Sequence, residues 1–182
     1  MWASPSNDDV QPAEVERMSQ VFVALGSNIE PAIRMPQAAR ALKHIFPDAR
    51  FSRCYSNPAF GFKGPDFVNA VAGFNTTMSI ATLLAVLRQI EAQCGREASA
   101  PKWEPRAMDL DLLLYGDVVG TGPGYTLPRP DLLKRAYMLG PLAQLAPDWI
   151  YPPAGPTINE LWQQFPHGER ALVPLALDLN AA

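Results

Sequence analysis

The sequence predicts a mixed α/β (α+β) fold with the element order β-α-β-β-α-β. Two observations lead to this fold class: short β-rich runs alternate with two amphipathic helical segments, and turn residues separate these elements. The 182 residues, of which 48% are hydrophobic, suffice for one domain with a substantial core. The order is the split βαβ, or ferredoxin-like, pattern. We therefore expect one ferredoxin-like sandwich over residues 19–182, with C-terminal additions.

The N-terminal half supplies four of these elements. The first 18 residues are polar and contain two prolines, which predicts a flexible N-terminal extension over residues 1–18. The run "QVFVAL" predicts the first strand, which "GSN" ends. In "PQAARALKHIF", Ala38, Leu42 and Ile45 recur at helical spacing, and Pro47 ends that helix. The segments "ARFSRCYS" and "DFVNAVAGFNT" predict the next two strands, and the second has the stronger pattern.

The segment "SIATLLAVLRQIEAQCG" gives the strongest helical signal of the chain. Ser79 is suited to cap its start and Gly95 to end it. The apolar stripe consists of Leu83, Leu87, Ile90 and Cys94. The run "AMDLDLLLY" then predicts the last strand of the sandwich. Beyond Gly116 the chain is rich in proline and glycine, and "DLLKRAYMLGPLAQLA" predicts one more helix, followed by a tail with little periodicity.

Composition and charge exclude several function classes. A net charge of −3 argues against broad electrostatic binding to nucleic acid or to an anionic membrane. No apolar run approaches the roughly 20 residues of a membrane span, and the N-terminus lacks the pattern of a signal peptide. The two cysteines, Cys54 and Cys94, form no CxxC pair, so we expect buried, reduced thiols. These observations predict a cytoplasmic protein.

An Asp-x-Asp pair interrupts the last strand. Because side chains alternate across a strand, Asp109 and Asp111 share one face, opposite the core face of Met108, Leu110, Leu112 and Leu114. Two ionised carboxylates on a half-buried face need positive charge nearby. A divalent cation such as Mg²⁺ could supply it. Alternatively, arginines such as Arg96 or Arg106 could pair with both acids.

The flanking loop favours a phosphate-binding role for this strand. Arg96 and Arg106 enclose a segment that also contains Lys102 and Trp103. Two guanidinium groups and an ammonium beside a possible metal pair suit a polyphosphate, and an indole ring can stack on a purine. The chain has no GxxxxGK[ST] motif, which excludes a P-loop protein.

Phe67 and Asn69 share one face of the strand in "DFVNAV". An aromatic ring and an amide suit a flat heteroaromatic ligand with several hydrogen-bonding edges. In the alternative interpretation, Phe67 belongs to the core and Asn69 caps a strand end.

Five segments in the same order resemble the 6-hydroxymethyl-7,8-dihydropterin pyrophosphokinases of folate synthesis. They are "VFVALGSNIE", "FVNAVAGF", "IEAQCGRE", "KWEPRAMDLDLLLYG" and "LPRPDLLKRAYMLGPLAQLAP". The resemblance covers about residues 20 to 152 and implies the ferredoxin-like fold that the element order predicts. It also implies transfer of the β,γ-pyrophosphoryl group of ATP to the hydroxymethyl oxygen of the pterin, with release of AMP. ATP would be the co-substrate. We expect no nucleic-acid or membrane partner and a monomer.

The resemblance also implies roles for individual residues of this chain. Asp109 and Asp111 match ligands of two Mg²⁺ ions, and Arg96 and Arg106 match arginines that act on the triphosphate in catalysis. The residues that match pterin-binding positions are Asn57, Pro58, Phe60, Phe67, Asn69 and Tyr137. Those that match ATP-binding positions are Glu91, Arg96, Trp103, Arg106, Leu112, Arg129 and Arg135.

The chain departs from the family pattern at several positions around the expected phosphates. Glu104 stands in place of a glycine, Ala98 in place of an arginine, Arg129 in place of a histidine and Asp131 in place of an arginine. Asn57 replaces the usual threonine or glutamate of the pterin loop. These departures keep a second function open: a pterin-binding regulatory module, or an altered-specificity paralogue with weakened ATP turnover. An RNA-recognition module is excluded, since no aromatic RNP-type strand or basic face is present.

Overall fold

The computed structural model describes residues 17–59, 64–96, 105–166 and 171–182. The predicted N-terminal extension therefore lies almost wholly outside the described residues, and the single-domain prediction stays a prediction. Among the helices in these ranges, none combines the length and the apolar composition that a membrane crossing requires.

Within the described residues, six strands form one antiparallel sheet. The strands are β1 (Ser19–Ser27), β2 (Arg50–Phe51), β3 (Tyr55–Asn57), β4 (Phe67–Thr76), β5 (Asp109–Tyr115) and, near the C-terminus, β8 (Val173–Pro174). Their order is β5-β1-β4-β3-β8, and β2 also pairs with β4. The two remaining strands, β6 (Gly120–Gly122) and β7 (Tyr125–Leu127), form a separate hairpin. β1 therefore lies in the middle, between β4 and β5.

Helices cover both faces of this sheet. The four described helices are α1 (Pro31–Ile45), α2 (Ile80–Gln93), α3 (Ala136–Leu145) and α4 (Ile158–Gln164). One apolar cluster joins the sheet to α1 and α2, and a second joins its other face to α3 and α4. The order β1-α1-(β2, β3)-β4-α2-β5 confirms the predicted ferredoxin-like fold, and α3 and α4 are the C-terminal additions.

Helix α2 forms as the sequence predicts. The Ser79 hydroxyl accepts a hydrogen bond from the Thr82 N–H (3.2 Å), and Gly95 adopts φ 90° just after the helix, where a side chain would be strained. All four residues of the predicted stripe are buried. In α1, the predicted helical spacing of Ala38, Leu42 and Ile45 is confirmed, and Ala38 and Leu42 are buried. Ile45 is the last helical residue and is 37% exposed.

A β-bulge in β5 changes the predicted alternation. Phe22 of β1 pairs with Leu114 and Val23 pairs with Leu112, so Leu113 has no partner in the register. Leu110 and Leu112 face α1 and α2 as predicted, whereas Leu114 is buried in the opposite cluster. The prediction that Leu114 shares their face is therefore wrong, while the pairing of Asp109 and Asp111 on one face is confirmed.

Two further regions differ from the sequence prediction. The predicted second strand is interrupted and forms two short pieces, β2 and β3. The tail, expected to lack periodicity, contains α4 and β8. Thr157 and Glu160 form a reciprocal capping box at the start of α4, with Thr157 N–H donating to Glu160 Oε2 (2.8 Å).

Candidate active site

A cleft of about 210 Å³ opens where β1 ends and β4 and β5 begin. Gly26 of β1 pairs with Asn69 of β4 on one side and with Asp109 of β5 on the other. Residues from β3 and from the segment leading into α3 complete the walls. The lining residues are Ala24, Leu25, Gly26, Asn57, Phe67, Asn69, Arg106, Asp109, Asp111, Arg129, Asp131, Arg135, Tyr137 and Met138.

We call Arg106, Asp109, Asp111 and Arg129 the charged end of the cleft. Asp109 accepts a hydrogen bond from an arginine at each carboxylate oxygen. Arg96 Nη1 lies 2.5 Å from Oδ1, and Arg106 Nη1 lies 2.6 Å from Oδ2. The Asp109 side chain is only 19% exposed, so these ion pairs are partly shielded from solvent.

Glu91 holds Arg96 in this arrangement. Its Oε1 atom accepts from Arg96 Nη1 (2.5 Å) and from the backbone N–H of Leu110 (2.7 Å). Burial raises the pKa of Glu91, while the Leu110 hydrogen bond and Arg96 oppose that rise. The buried Glu91 therefore ties Arg96 to the backbone of β5 and acts on the cleft through Arg96.

Asp111 has weaker compensation than Asp109. Its partner is Arg129, whose Nη1 lies 3.0 Å from Asp111 Oδ1, and Arg129 Nη2 also lies 4.0 Å from Asp131 Oδ2. Burial, with a second contribution from the Asp109 carboxylate, raises the pKa of Asp111 to about 7, although Arg129 lowers it. The negative charge of an ionised Asp111 is thus only partly compensated, and a further cation beside it would be favourable.

The donor set at the charged end fits a hard divalent cation. Two carboxylates face one cleft, and burial together with the neighbouring Asp109 carboxylate raises the pKa of Asp111. Within the described part of the chain, no group of three or more His, Cys, Asp and Glu side chains could hold a metal. A cation held by Asp109 and Asp111 would therefore complete its coordination with water or substrate oxygens, as Mg²⁺ commonly does.

We call Asn57, Phe67 and Asn69 the ring end of the cleft. Asn69 Nδ2 donates a hydrogen bond to Asn57 Oδ1, and Asn57 Nδ2 donates to the Pro58 carbonyl (3.0 Å). Gly26 makes this arrangement possible, because a Cβ at that position would lie 3.1 Å from Asn69 Oδ1. The amides thus lie beside the Phe67 ring, a combination suited to a flat polar heterocycle.

The predicted site residues fall into four groups in the structure. Those that line the cleft are Asn57, Phe67, Asn69, Arg106, Asp109, Asp111, Arg129, Arg135 and Tyr137. Glu91 and Arg96 join it through Asp109, and the exposed Pro58 joins it through Asn57. Leu112 is buried on the opposite face of β5, so its side chain belongs to the core and only its backbone could contact a nucleotide. Phe60, Trp103, Ala98 and Glu104 lie outside the described residues.

Sequence reasoning did not identify several residues that shape the cleft. Gly26 and Asn28 belong to the "GSN" segment, which was interpreted only as the end of a strand. Asn28 is 4% exposed and hydrogen-bonded to Arg106 and Pro65. No sequence signal identifies Asn28, because the burial that obliges its amide to find hydrogen-bond partners becomes visible only in the fold.

The chain matches a family profile and several proteins of known name. The profile described as 7,8-dihydro-6-hydroxymethylpterin-pyrophosphokinase matches residues 22–147. The 2-amino-4-hydroxy-6-hydroxymethyldihydropteridine pyrophosphokinase of Synechocystis sp. is 38% identical over 145 residues, covering 78% of this chain and 74% of the relative. The Pseudomonas aeruginosa protein of the same name is 37% identical over 139 residues, covering 74% of this chain and 85% of the relative.

Solved structures show the same fold in a longer protein. The Plasmodium falciparum HPPK-DHPS S436F/A437G/A613S triple mutant superposes with a TM-score of 0.67 at 11% sequence identity. The match covers 84% of this chain and 45% of that chain. The chain thus spans less than half the length of this structural relative, and the likeness concerns the fold.

Proposed function

Because the chain belongs to the 7,8-dihydro-6-hydroxymethylpterin-pyrophosphokinase family, we propose that it transfers pyrophosphate from ATP to 6-hydroxymethyl-7,8-dihydropterin in folate biosynthesis. The observation that carries this proposal is the cleft itself, which has a ring end suited to a pterin and a charged end suited to a triphosphate. The acceptor oxygen and the phosphorus to be attacked would meet between them, near Gly26.

At the β-phosphorus of ATP, one bond forms and one bond breaks. The hydroxymethyl oxygen of the pterin bonds to the β-phosphorus of ATP, the bond from that phosphorus to the α,β-bridging oxygen breaks, and AMP leaves with that oxygen. No histidine or glutamate is among the described residues that line the cleft, so no general base of these types is positioned there. The O–H bond of the acceptor also breaks, and its proton is released to solvent. Catalysis rests on alignment and charge stabilisation.

The charged end performs this stabilisation with its own residues. Asp109 and Asp111 would hold Mg²⁺, which neutralises phosphate charge when bound, and we propose two ions, as the resemblance implies. Arg96, Arg106 and Arg129 currently contact these same carboxylates. When the nucleotide binds, the guanidinium groups of these arginines would turn from the carboxylates to phosphate oxygens. Asp109 and Asp111 would then be available to hold the ion.

The remaining parts of the proposal concern the setting of the enzyme. The acidic net charge of −3 supports a protein that acts on small molecules without nucleic-acid or membrane partners. The buried thiols of Cys54 and Cys94 support a reducing compartment, which we take to be the cytoplasm. We propose that the chain acts as a monomer.

A second candidate function follows from Asp131. This acid lines the charged end, 4.0 Å from Arg129 Nη2, where it would face the phosphates. Asp131 would repel the phosphates of ATP and so weaken ATP turnover. This favours a pterin-binding module or an altered-specificity paralogue.

One assay separates the two candidates. The protein is incubated with ATP, Mg²⁺ and the dihydropterin, and the nucleotides and pterins are separated by chromatography. AMP and a pyrophosphorylated pterin in equal amounts support the kinase, provided that both disappear when the pterin is omitted or EDTA is added. Tight pterin binding without AMP supports the binding module. ADP as the nucleotide product would contradict the proposed reaction.

A further inference from the structure

We propose that Asn28 is a positioning residue that couples the two ends of the cleft. Asn28 follows β1 directly, is 4% exposed and does not line the cleft. Its Oδ1 atom accepts the backbone N–H of Arg106 (2.6 Å), and its Nδ2 atom donates to the backbone carbonyl of Pro65 (3.2 Å). One buried amide thus joins the chain segment of the charged end to that of the ring end.

On the side of the charged end, the hydrogen bonds hold the whole Arg106 peptide. The backbone N–H groups of Asn28 and Ile29 both donate to the Arg106 carbonyl, at 3.0 and 3.3 Å. Together with the Asn28 side chain, they fix both polar groups of the Arg106 backbone. With the Arg106 backbone held in this way, its Nη1 atom lies 2.6 Å from Asp109 Oδ2. Loss of the Asn28 amide would leave the Arg106 N–H without this acceptor in a partly buried position, which is unfavourable.

On the side of the ring end, Asn28 holds the segment that leads into β4. Pro65 precedes Phe67 by two residues, and Phe67 is the first residue of β4. The bond to the Pro65 carbonyl therefore sets where β4 begins and how the Phe67 ring enters the cleft. Because the same amide binds both segments, a shift of the Arg106 backbone as its side chain binds a phosphate changes the position available to Phe67. A shift of Phe67 as it stacks on the pterin likewise changes the position of Arg106.

The inference rests on the proposed function, since it concerns how nucleotide and pterin affect each other in one cleft. The predicted quantity is the factor by which a saturating, non-hydrolysable Mg²⁺–ATP analogue tightens pterin binding. Equilibrium titration of pterin with and without that analogue measures this factor in the absence of turnover. We expect a factor above about five in the wild type, as is typical of coupled sites, and a factor close to one in Asn28→Ala.

Two further variants make the test specific. Asn28→Asp keeps the acceptor for Arg106 but sets a carboxylate oxygen against the Pro65 carbonyl, so it should lose the coupling. Thermal melts of both Asn28 variants establish that they are folded at the temperature of the titration. Asn180→Ala is the matched control. The Asn180 side chain bonds the N–H (3.0 Å) and the carbonyl (2.9 Å) of Phe51, away from the cleft. We expect it to lower thermal stability and to keep the coupling factor of the wild type.

The outcomes distinguish this inference from the proposed function. Unchanged coupling in both Asn28 variants, or no coupling in the wild type, overturns the inference even if AMP is formed. Equal loss of coupling in Asn180→Ala also overturns it, since general loosening would then be the cause. If the wild type shows coupling that the Asn28 variants lose, but never forms AMP, the proposed function fails and the inference stands.

Discussion

The two ends of the cleft are built by different physical means. At the ring end, Asn57 and Asn69 are hydrogen-bonded to each other across the pairing of β3 with β4, and both are neutral. At the charged end, the carboxylates of Asp109 and Asp111 lie against arginines from three different segments. The ring end can receive a ligand with few rearrangements, whereas the charged end must exchange ion pairs before it can hold a metal-bound phosphate.

This difference indicates how binding energy is distributed in the proposed enzyme. A preformed neutral surface retains most of the free energy gained by stacking and hydrogen bonding. An ion-paired surface must first break its ion pairs, so its net free energy of binding depends on the interactions that replace them. We therefore expect substitutions at the ring end to change mainly the affinity for the pterin. Substitutions at the charged end should change mainly turnover, metal dependence and salt dependence.

The largest expected effect comes from removing a carboxylate at the charged end. Asp109→Asn and Asp111→Asn should each lower kcat/KM by at least about a hundredfold, because each removes a charge that holds the cation in the transition state. Steady-state AMP formation over a range of Mg²⁺ concentrations measures this loss. Binding of the pterin alone should stay close to that of the wild type, and near-normal turnover in both variants would contradict the metal assignment.

The ring end should lose affinity when its aromatic partner is removed. We expect Phe67→Ala to weaken pterin binding by about 1 to 3 kcal/mol, the range for losing one stacked ring, with little change in nucleotide affinity. Calorimetric titration of each ligand measures both. Phe67→Leu is the matched control for burial: it fills the space but cannot stack, so it should weaken pterin binding as well while preserving thermal stability. Strong pterin binding by Phe67→Leu would show that Phe67 is a packing residue.

Local sequence pattern predicted the parts of the molecule that depend on nearest neighbours. Alternation placed Asp109 and Asp111 on one face, and helical spacing placed the α2 stripe, because both follow from backbone geometry alone. Pairing with β1 overrode the same alternation at Leu114, since a bulge depends on a partner strand that is distant in sequence. The Thr157-x-x-Glu160 capping box was a local signal of α4 that the sequence analysis did not use.

The assignment of arginines to acids could not be predicted in the same way. The alternative of ion pairing named Arg96 and Arg106, and both contact Asp109, but the partner of Asp111 is Arg129 from the segment before α3. Asn28 was missed for the same reason, because its partners are 78 and 37 residues away in the chain. Contacts of this kind depend on how β1, β4 and β5 meet, which a single sequence does not reveal.

The raised pKa of Asp111 predicts how the metal-free protein responds to pH. A folded-state pKa of about 7, against the ordinary 3.8, means that the native state binds this proton more tightly than the unfolded state. Stability from this group is therefore fully present below about pH 4 and is lost as the pH rises through about 7. Since one pKa unit corresponds to about 1.4 kcal/mol and part of the site is exposed, we expect a loss of roughly 1 to 2 kcal/mol.

Thermal melts of the metal-free protein between pH 5 and pH 8 measure this effect. The melting temperature should fall more steeply for the wild type than for Asp111→Asn, which lacks the titrating group. Addition of Mg²⁺ with a non-hydrolysable nucleotide at pH 8 should restore stability in the wild type and restore much less in the variant. Parallel pH profiles of the two proteins would contradict this account of the charged end.

The smallest expected effect concerns Asp131, the acid that we propose opposes phosphate binding at the charged end. Its side chain is 46% exposed, so solvent and salt screen its repulsion of a triphosphate to about 0.5 kcal/mol. We expect Asp131→Asn to lower KM for MgATP by about two- to threefold at low ionic strength, with pterin affinity unchanged. Its exposed counterpart Asp117 lies outside the cleft lining, so Asp117→Asn makes the same change in net charge and should leave KM unaltered. Steady-state kinetics at low and high salt separate the possible causes. If the decrease in KM disappears in high salt, Asp131 weakens nucleotide binding by electrostatic repulsion. A raised KM would show instead that Asp131 is needed to orient Arg129, because their side chains lie 4.0 Å apart and Arg129 forms the ion pair with Asp111.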